Sequence, residues 1–203
     1  GEAAATGEAG SGQEQRRAMK TGIRIAGIGG QGLVSASVVL AEALGVVRDF
    51  QVVQTQFYAS NITGGASCGD VVVADEKITF PWVLEPDLLI ALAQDAVDGH
   101  GAKMRPGTVV IADDIMVTDL TPFGEEVSVH WASLTRTADE VGSRRCANIV
   151  ALGALSHLTG LLDLTQVSKA VTSSAPGKPE TNCMAVEAGY ALKLTPAEGD
   201  RAT

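Results

Sequence analysis

Apolar and polar positions along the chain switch between a period of two and a period near 3.6, and those switches predict the elements. After a stretch over 1–18 that holds no apolar side chain larger than alanine, Met19 opens the folded sequence. Gly22-Ile23-Arg24-Ile25-Ala26-Gly27-Ile28 is a short β-type run, and Leu33 to Leu44 carries apolar residues at helical spacing, so the opening reads strand, glycine turn, helix. A second strand is expected over 51–57. After a Gly/Ser/Asn loop, a third is expected over 70–74, with Asp75-Glu76-Lys77 turning a hairpin toward Ile78 and Phe80 until Pro81 stops it. Pro86 to Leu92 and Thr108 to Ala112 are buried-strand patterns flanking a short helix rich in Gln, Asp and Ala, and a strand over 127–131 leads into a helix over 137–141. Helices close the chain near 147–158, 165–173 and 180–194. Strands alternating with helices imply an α/β, doubly wound, mostly parallel sheet with helices on both faces and extra C-terminal helices. The expected organisation is a flexible tail over 1–18 and one α/β domain over 19–203.

Composition sharpens this reading. Hydrophobic residues make up 45% of the 203 positions but aromatics only 4%, so the core is built from Val, Ile, Leu and Ala, as suits a parallel sheet wrapped in small-residue helices. The net charge of -9 comes without any basic stripe, which argues against nucleic acid or an anionic membrane as partner. No apolar run approaches the roughly 20 residues of a membrane span, and no secretory h-region is visible, so a cytoplasmic protein is expected. Cys68, Cys146 and Cys183 are far apart and form no C-x-x-C pair, so no zinc or iron–sulfur frame can be written; free buried thiols are expected.

The candidate chemistry begins at Gly27-Ile28-Gly29-Gly30-Gln31-Gly32, a G-x-G-x-x-G pattern between a predicted strand and a predicted helix. Glycines there allow a tight turn and close backbone approach, and the amides of the helix N-terminus attract a phosphate. A dinucleotide enzyme also needs an acidic residue at the end of the second strand for the ribose; here the strand ends in Gln54, Thr55 and Gln56, while Asp49 precedes it. Three readings stay open: a dinucleotide site, glycines that only let the helix pack on the sheet, and a site for a phosphate-bearing ligand at a subunit interface.

Other residues offer less. His100, His130 and His157 share no metal-binding frame, and Ser35 and Ser37 sit in no nucleophile elbow. Arg144-Arg145 beside Cys146 is either an anion site that lowers a thiol pKa or a solvated helix start. Asp113-Asp114 stands either at a ligand-binding strand end or as a cap. Lys178, in the connector Ser173 to Pro179, is a minor phosphate candidate.

The glycine run and the following helix resemble the opening of gamma subunits of pyruvate and other 2-oxoacid:ferredoxin oxidoreductases. Three further motifs resemble that family in the same order. These are Tyr58 with Gly64-Gly65-Ala66-Ser67 and the run Asp70 to Ile78, then Lys103 to Ile111 with its Pro-Gly strand entry, then the asparagine-led helix Ala147-Asn148-Ile149 to Leu155. Asn182 and Gly189 also fall where such subunits carry Asn and Gly, so the likeness covers about 22–190. Where the family usually has an acidic residue and an arginine before the double glycine, this chain has Asn61 and Thr63. The resemblance implies a Rossmann-like fold and a non-redox, gamma-type subunit of a cytoplasmic hetero-oligomer with alpha, beta and ferredoxin-like delta partners. That assembly would oxidatively decarboxylate a 2-oxoacid to an acyl-CoA, with coenzyme A as cosubstrate. Thiamine diphosphate, Mg2+ and [4Fe–4S] clusters would sit on the partner subunits, with electrons passing to ferredoxin or a related acceptor. It further implies that Gly27, Gly29, Gly30, Gln31 and Gly32, with Tyr58, Asn61, Thr63, Gly64 and Gly65, line a site for a coenzyme A phosphate or an interface near the thiamine cofactor. No catalytic residue and no metal ligand is assigned to this chain. A stand-alone NAD-dependent dehydrogenase and a purely structural assembly subunit are the rival readings.

Overall fold

The computed structural model describes residues 19–58 and 66–197. The expected tail over 1–18 and the positions Asn61, Thr63, Gly64 and Gly65 lie outside the described residues. The elements run β1 (Lys20–Ile28), α1 (Leu33–Glu42), β2 (Gln51–Tyr58), β3 (Ala66–Ala74), β4 (Leu88–Ala91), α2 (Gln94–His100), β5 (Val109–Asp113), β6 (Ser128–Ala132), α3 (Leu134–Glu140), α4 (Ala147–Thr159), α5 (Leu164–Ser174), α6 (Pro179–Tyr190) and β7 (Thr195–Pro196).

The strands form one sheet in the order β2-β3-β1-β4-β5-β6-β7. Strands β1, β4, β5 and β6 are mutually parallel, as helix-bearing connections require, whereas β3 runs antiparallel to both β1 and β2, and β7 antiparallel to β6. The α/β fold therefore stands with a mixed sheet. Only positions 59–65 separate β2 from β3, too few for a crossover helix, and so the pair closes antiparallel.

Alternation along the strands divides the core in two. Ile23 and Ile25 of β1, Val71 and Val73 of β3, and Leu88 and Ile90 of β4 face a core shared with α1, α4, α5 and α6. Ala26, Cys68, Leu89, Ala91, Val110 and Ala112 face the other, covered by α2 and by Val117, Leu120 and Phe123 of the β5–β6 connection. On that second face, directly opposed positions of β1 and β3 carry Arg24 and Asp70, with Nε to Oδ1 at 2.8 Å and Nη2 to Oδ2 at 2.6 Å. This nearly buried pair replaces an apolar contact and is completed by the Val83 carbonyl, which accepts from Arg24 Nη2 at 2.7 Å.

Several boundaries differ from the pattern-based expectation. No hairpin forms at Asp75-Glu76-Lys77; the residues from Asp75 to Asp87 instead cross the end of the sheet as irregular backbone. Helix α3 starts earlier, at Leu134, and α6 stops at Tyr190, after which the chain turns back to add β7. That two-residue strand contains Pro196, tolerable because β7 is an edge, and is too short to carry a period. Among the described residues, no helix is long and apolar enough to cross a membrane.

Candidate functional site

The glycine turn begins where β1 leaves the sheet. Gly30 and Gly32 hold φ of +90° and +70°, conformations that disfavour any side chain, and Gly32 caps α1. A Cβ on Gly29 or Gly30 would meet nothing within 4 Å, so these two present open backbone. A Cβ on Gly27 would strike the Gln31 side-chain oxygen, and one on Gly32 would lie 2.5 Å from Asn148 Nδ2. The glycines thus serve two purposes: Gly27 and Gly32 allow close packing, while Gly29 and Gly30 expose backbone.

Gln31 is a strut. Its Oε1 accepts from the Ile28 amide at 2.8 Å, and its Nε2 donates to the Leu92 carbonyl at 2.8 Å, tying the turn to the end of β4. Asn148 braces the other side by donating from Nδ2 to the Gly32 carbonyl at 2.9 Å while its Oδ1 accepts from the Ile149 amide. Helix α1 has neither a side-chain cap nor an acidic residue in its first turn, which leaves its leading amides to water or to a ligand.

Above this turn lies a cavity of about 540 Å³, within the range of small-molecule sites. Gly30, Gly32 and Ser35 form one wall; Gly142, Ser143, Arg145, Cys146, Asn148 and Ile149 form the second; Pro176, Gly177, Lys178, Thr181 and Asn182 form the third. Asn182, buried at the start of α6, donates to the Pro176 carbonyl at 3.1 Å and so fixes the connector that carries Lys178. The lining contains two cations, five hydroxyl or side-chain amide donors and no carboxylate, although the chain as a whole carries a net charge of -9. Such a wall attracts anions and offers them neutral donors.

The residues singled out from the sequence meet different fates. Gly30 and Gly32 line the cavity, Gly27 and Gln31 support it from beneath, and Gly29 leads into it. Tyr58 lies on the same rim: it and Gly27 both pair with Ser67, which puts the two backbones roughly 10 Å apart across β3. Arg145 and Lys178, weighed separately along the chain, converge on one cavity; Arg144 turns away to Asp139 at 3.3 Å. Asp113 is fully buried and spent: Oδ1 accepts from the Ile115 and Met116 amides, and Oδ2 from the amide and hydroxyl of Thr135 at 2.7 and 2.6 Å. It is a cap for the turn after β5 and the start of α3. Ser35, Asn148, Thr181 and Asn182 were not placed in the site from the sequence. A buried asparagine heading an otherwise apolar helix, as at Asn148, is the one local signal that marks such a brace.

All three cysteines are free; Cys68 and Cys146 are buried and Cys183 is partly exposed. Burial, then the Asp70 carboxylate, pushes the Cys68 thiol up to about 11, which makes it unreactive.

Comparison with known proteins agrees with this architecture. The family model described as pyruvate ferredoxin/flavodoxin oxidoreductase matches residues 22–192. The 2-oxoglutarate synthase subunit KorC of Methanocaldococcus jannaschii is 39% identical over 180 residues, covering 87% of this chain and 96% of that protein. Among solved structures, the gamma subunit of the keto/oxoacid ferredoxin oxidoreductase from Geobacter sulfurreducens superposes with a TM-score of 0.76 at 36% identity, over 86% of this chain and 99% of that one. The 2-oxoglutarate:ferredoxin oxidoreductase from Magnetococcus marinus, solved with 2-oxoglutarate, coenzyme A and succinyl-CoA bound, also gives 0.76, at 27% identity; the match covers 91% of this chain but only 33% of that longer one. The glycine turn, its asparagine braces and the mixed sheet accordingly belong to a gamma-type subunit of the pyruvate ferredoxin/flavodoxin oxidoreductase family.

Proposed function

We propose that this chain is the non-redox gamma subunit of a cytoplasmic, thiamine-diphosphate-dependent 2-oxoacid:acceptor oxidoreductase, and that its glycine-turn cavity receives a phosphate-bearing part of coenzyme A. The observation that carries the reading is the carboxylate-free lining with Arg145 and Lys178 over an uncapped helix start. Phosphate oxygens accept readily from guanidinium, ammonium and backbone N–H donors, and the neutral Asn148, Ser143 and Thr181 can orient them without adding repulsion. Tyr58, whose backbone lies on the same rim, is then a contact to the substrate or to a neighbouring subunit, and Asn61, Thr63, Gly64 and Gly65 are candidates for the same role from their place in the sequence.

Within the assembly, thiamine diphosphate supplies the ylid and electron sink for decarboxylation, and the clusters carry electrons to ferredoxin or a related acceptor. This chain's part is to bind and orient: Gln31 and Asn148 hold the turn, Asn182 holds the connector, and the cations hold the anion. Preorganised donors of this kind raise effective concentration at a neighbouring reacting centre without contributing a nucleophile.

The strand order does not favour the dinucleotide alternative. In a dinucleotide fold the strand after the first helix lies directly beside β1 and its end holds the ribose; here β3 intervenes, so the end of β2 is one strand spacing too far, and it bears no acid. The test is kinetic, on the intact hetero-oligomer. Arg145→Gln and Lys178→Gln should each raise the KM for coenzyme A roughly tenfold, the loss of one charge-assisted hydrogen bond, with little change in kcat. The same variants should leave the weaker reaction with pantetheine, which lacks the nucleotide phosphates, unaltered. Equal losses with both acceptors would contradict a phosphate role.

A further inference from the structure

We infer that Phe80, Trp82 and Leu84 form the anchor by which this chain docks onto the larger partner subunit of its complex, at the rim opposite the glycine turn. The inference rests on the hetero-oligomeric reading above and adds the surface. The segment after β3 is irregular, and its apolar side chains divide between buried and exposed. Val83 points in, 6% exposed, while Phe80, Trp82 and Leu84 are 45%, 58% and 72% exposed. In a soluble domain the outward set of such a segment is polar. Here the exposed side chains include Phe80, Trp82 and Leu84, in a protein whose only tryptophans are Trp82 and Trp131.

The strip is held in place from behind, which limits the ordering cost of docking. Arg24, locked on Asp70, donates to the Val83 carbonyl at 2.7 Å. The Gly22 amide donates to Asp87 Oδ2 at 2.7 Å, Asp87 pairs with Arg105, and the Lys20 ammonium stands 5.9 Å from the Phe80 ring centroid. Together with Lys20, Gly22 and Arg105, the strip surrounds a shallow depression of about 420 Å³, an aromatic and aliphatic centre with a charged rim, as in protein interfaces.

The occupant follows from chain lengths and composition. In the Magnetococcus marinus oxidoreductase the matched region is 33% of a longer polypeptide, whereas the KorC subunit of Methanocaldococcus jannaschii, a subunit in its own right, is matched over 96% of its length. A gamma-type subunit of the KorC kind holds by surface contact what the longer polypeptide holds by covalent connection. Positions 1–18 and 198–203 hold no apolar side chain larger than alanine, so neither of these two stretches supplies a large apolar group to the strip. Residues Gly22 to Ile28 of β1 separate the strip from the glycine turn by roughly 20 Å, so a partner seated on the strip leaves the cavity open.

The experiment uses the thiamine- and iron-containing subunits that co-purify with the tagged wild-type chain, reassociated with wild-type chain, with the Trp82→Ala/Leu84→Ala double variant, and with Val46→Ala as a control for loss of an exposed apolar side chain elsewhere. Association is read by native mass spectrometry and by sedimentation. The double variant should bind at least roughly thirtyfold more weakly, as expected for loss of an interface anchor, while Val46→Ala binds as the wild type does. Melting of the free double variant should match the wild type, since both side chains are exposed. Unchanged association of a folded double variant would overturn the anchor while leaving the subunit reading intact. A wild-type chain that forms a homodimer dissolved by the double substitution would overturn it in favour of a second copy. Failure of the wild type to co-purify with any such subunits would remove the reading on which the anchor rests.

Discussion

At the residue scale the molecule spends its buried polar groups on holding irregular backbone in place. Gln31, Asn148 and Asn182 each use a side-chain amide to pin a segment that no ladder or helix would hold, and Arg24 does the same for the Val83 carbonyl. Unsatisfied, such groups would cost about 1–3 kcal/mol each; satisfied, they fix geometry more than they add stability. His100 shares this network, its Nδ1 lying 3.4 Å from Arg24 Nη1 as an acceptor, and burial followed by the guanidinium pushes the imidazole down to about 4. The folded protein therefore resists a proton that the unfolded chain takes up near pH 6.5. Stability is full above that pH, and this contribution declines as pH falls toward about 4. Chemical denaturation between pH 7 and 4.5 should show a shallower decline for His100→Gln than for the wild type. Parallel declines would mean that His100 does not titrate differently on folding.

At the element scale the glycine turn is what α1 and β1 make of it, but the cavity is made by α4 and α6. Those helices cross so closely that a Cβ on Gly153 would lie 2.6 Å from the Tyr190 amide nitrogen and collide with the Val186 carbonyl, while one on Gly189 would strike the Val150 carbonyl. Backbone has no rotamer with which to yield. Gly153→Ala should therefore cost about 2 kcal/mol or more and lower the melting temperature by roughly 5 °C. A melting temperature within a degree of wild type would show that the crossing is looser than described. The same helices explain which parts of the site the sequence discloses. The strand-turn-helix start is local, so glycines and periodicity reveal it. The convergence of Arg145 on the turn before α4 with Lys178 before α6 depends on how the helices pack, and neither residue carries a local mark of it. The antiparallel entry of β3 between β2 and β1 is likewise a matter of sheet order, to which alternation along one strand is blind. Ile78 and Phe80 imitate a short hairpin strand because two apolar residues spaced by two show the strand period whether or not a strand forms.

At the scale of the whole molecule, two surfaces differ from the acidic remainder: a cationic cavity at one rim of the sheet and an aromatic strip at the other. On the proposed function, the cationic cavity presents a phosphate-bearing cosubstrate to a reacting centre held elsewhere in the assembly. The measurement that tests this most directly is native mass spectrometry of the protein isolated from its source, with thiamine and iron determined on whatever accompanies it. The expected result is a hetero-oligomer whose larger subunits carry thiamine diphosphate and iron and which turns over a 2-oxoacid with coenzyme A. A stable homo-oligomer free of both would contradict it.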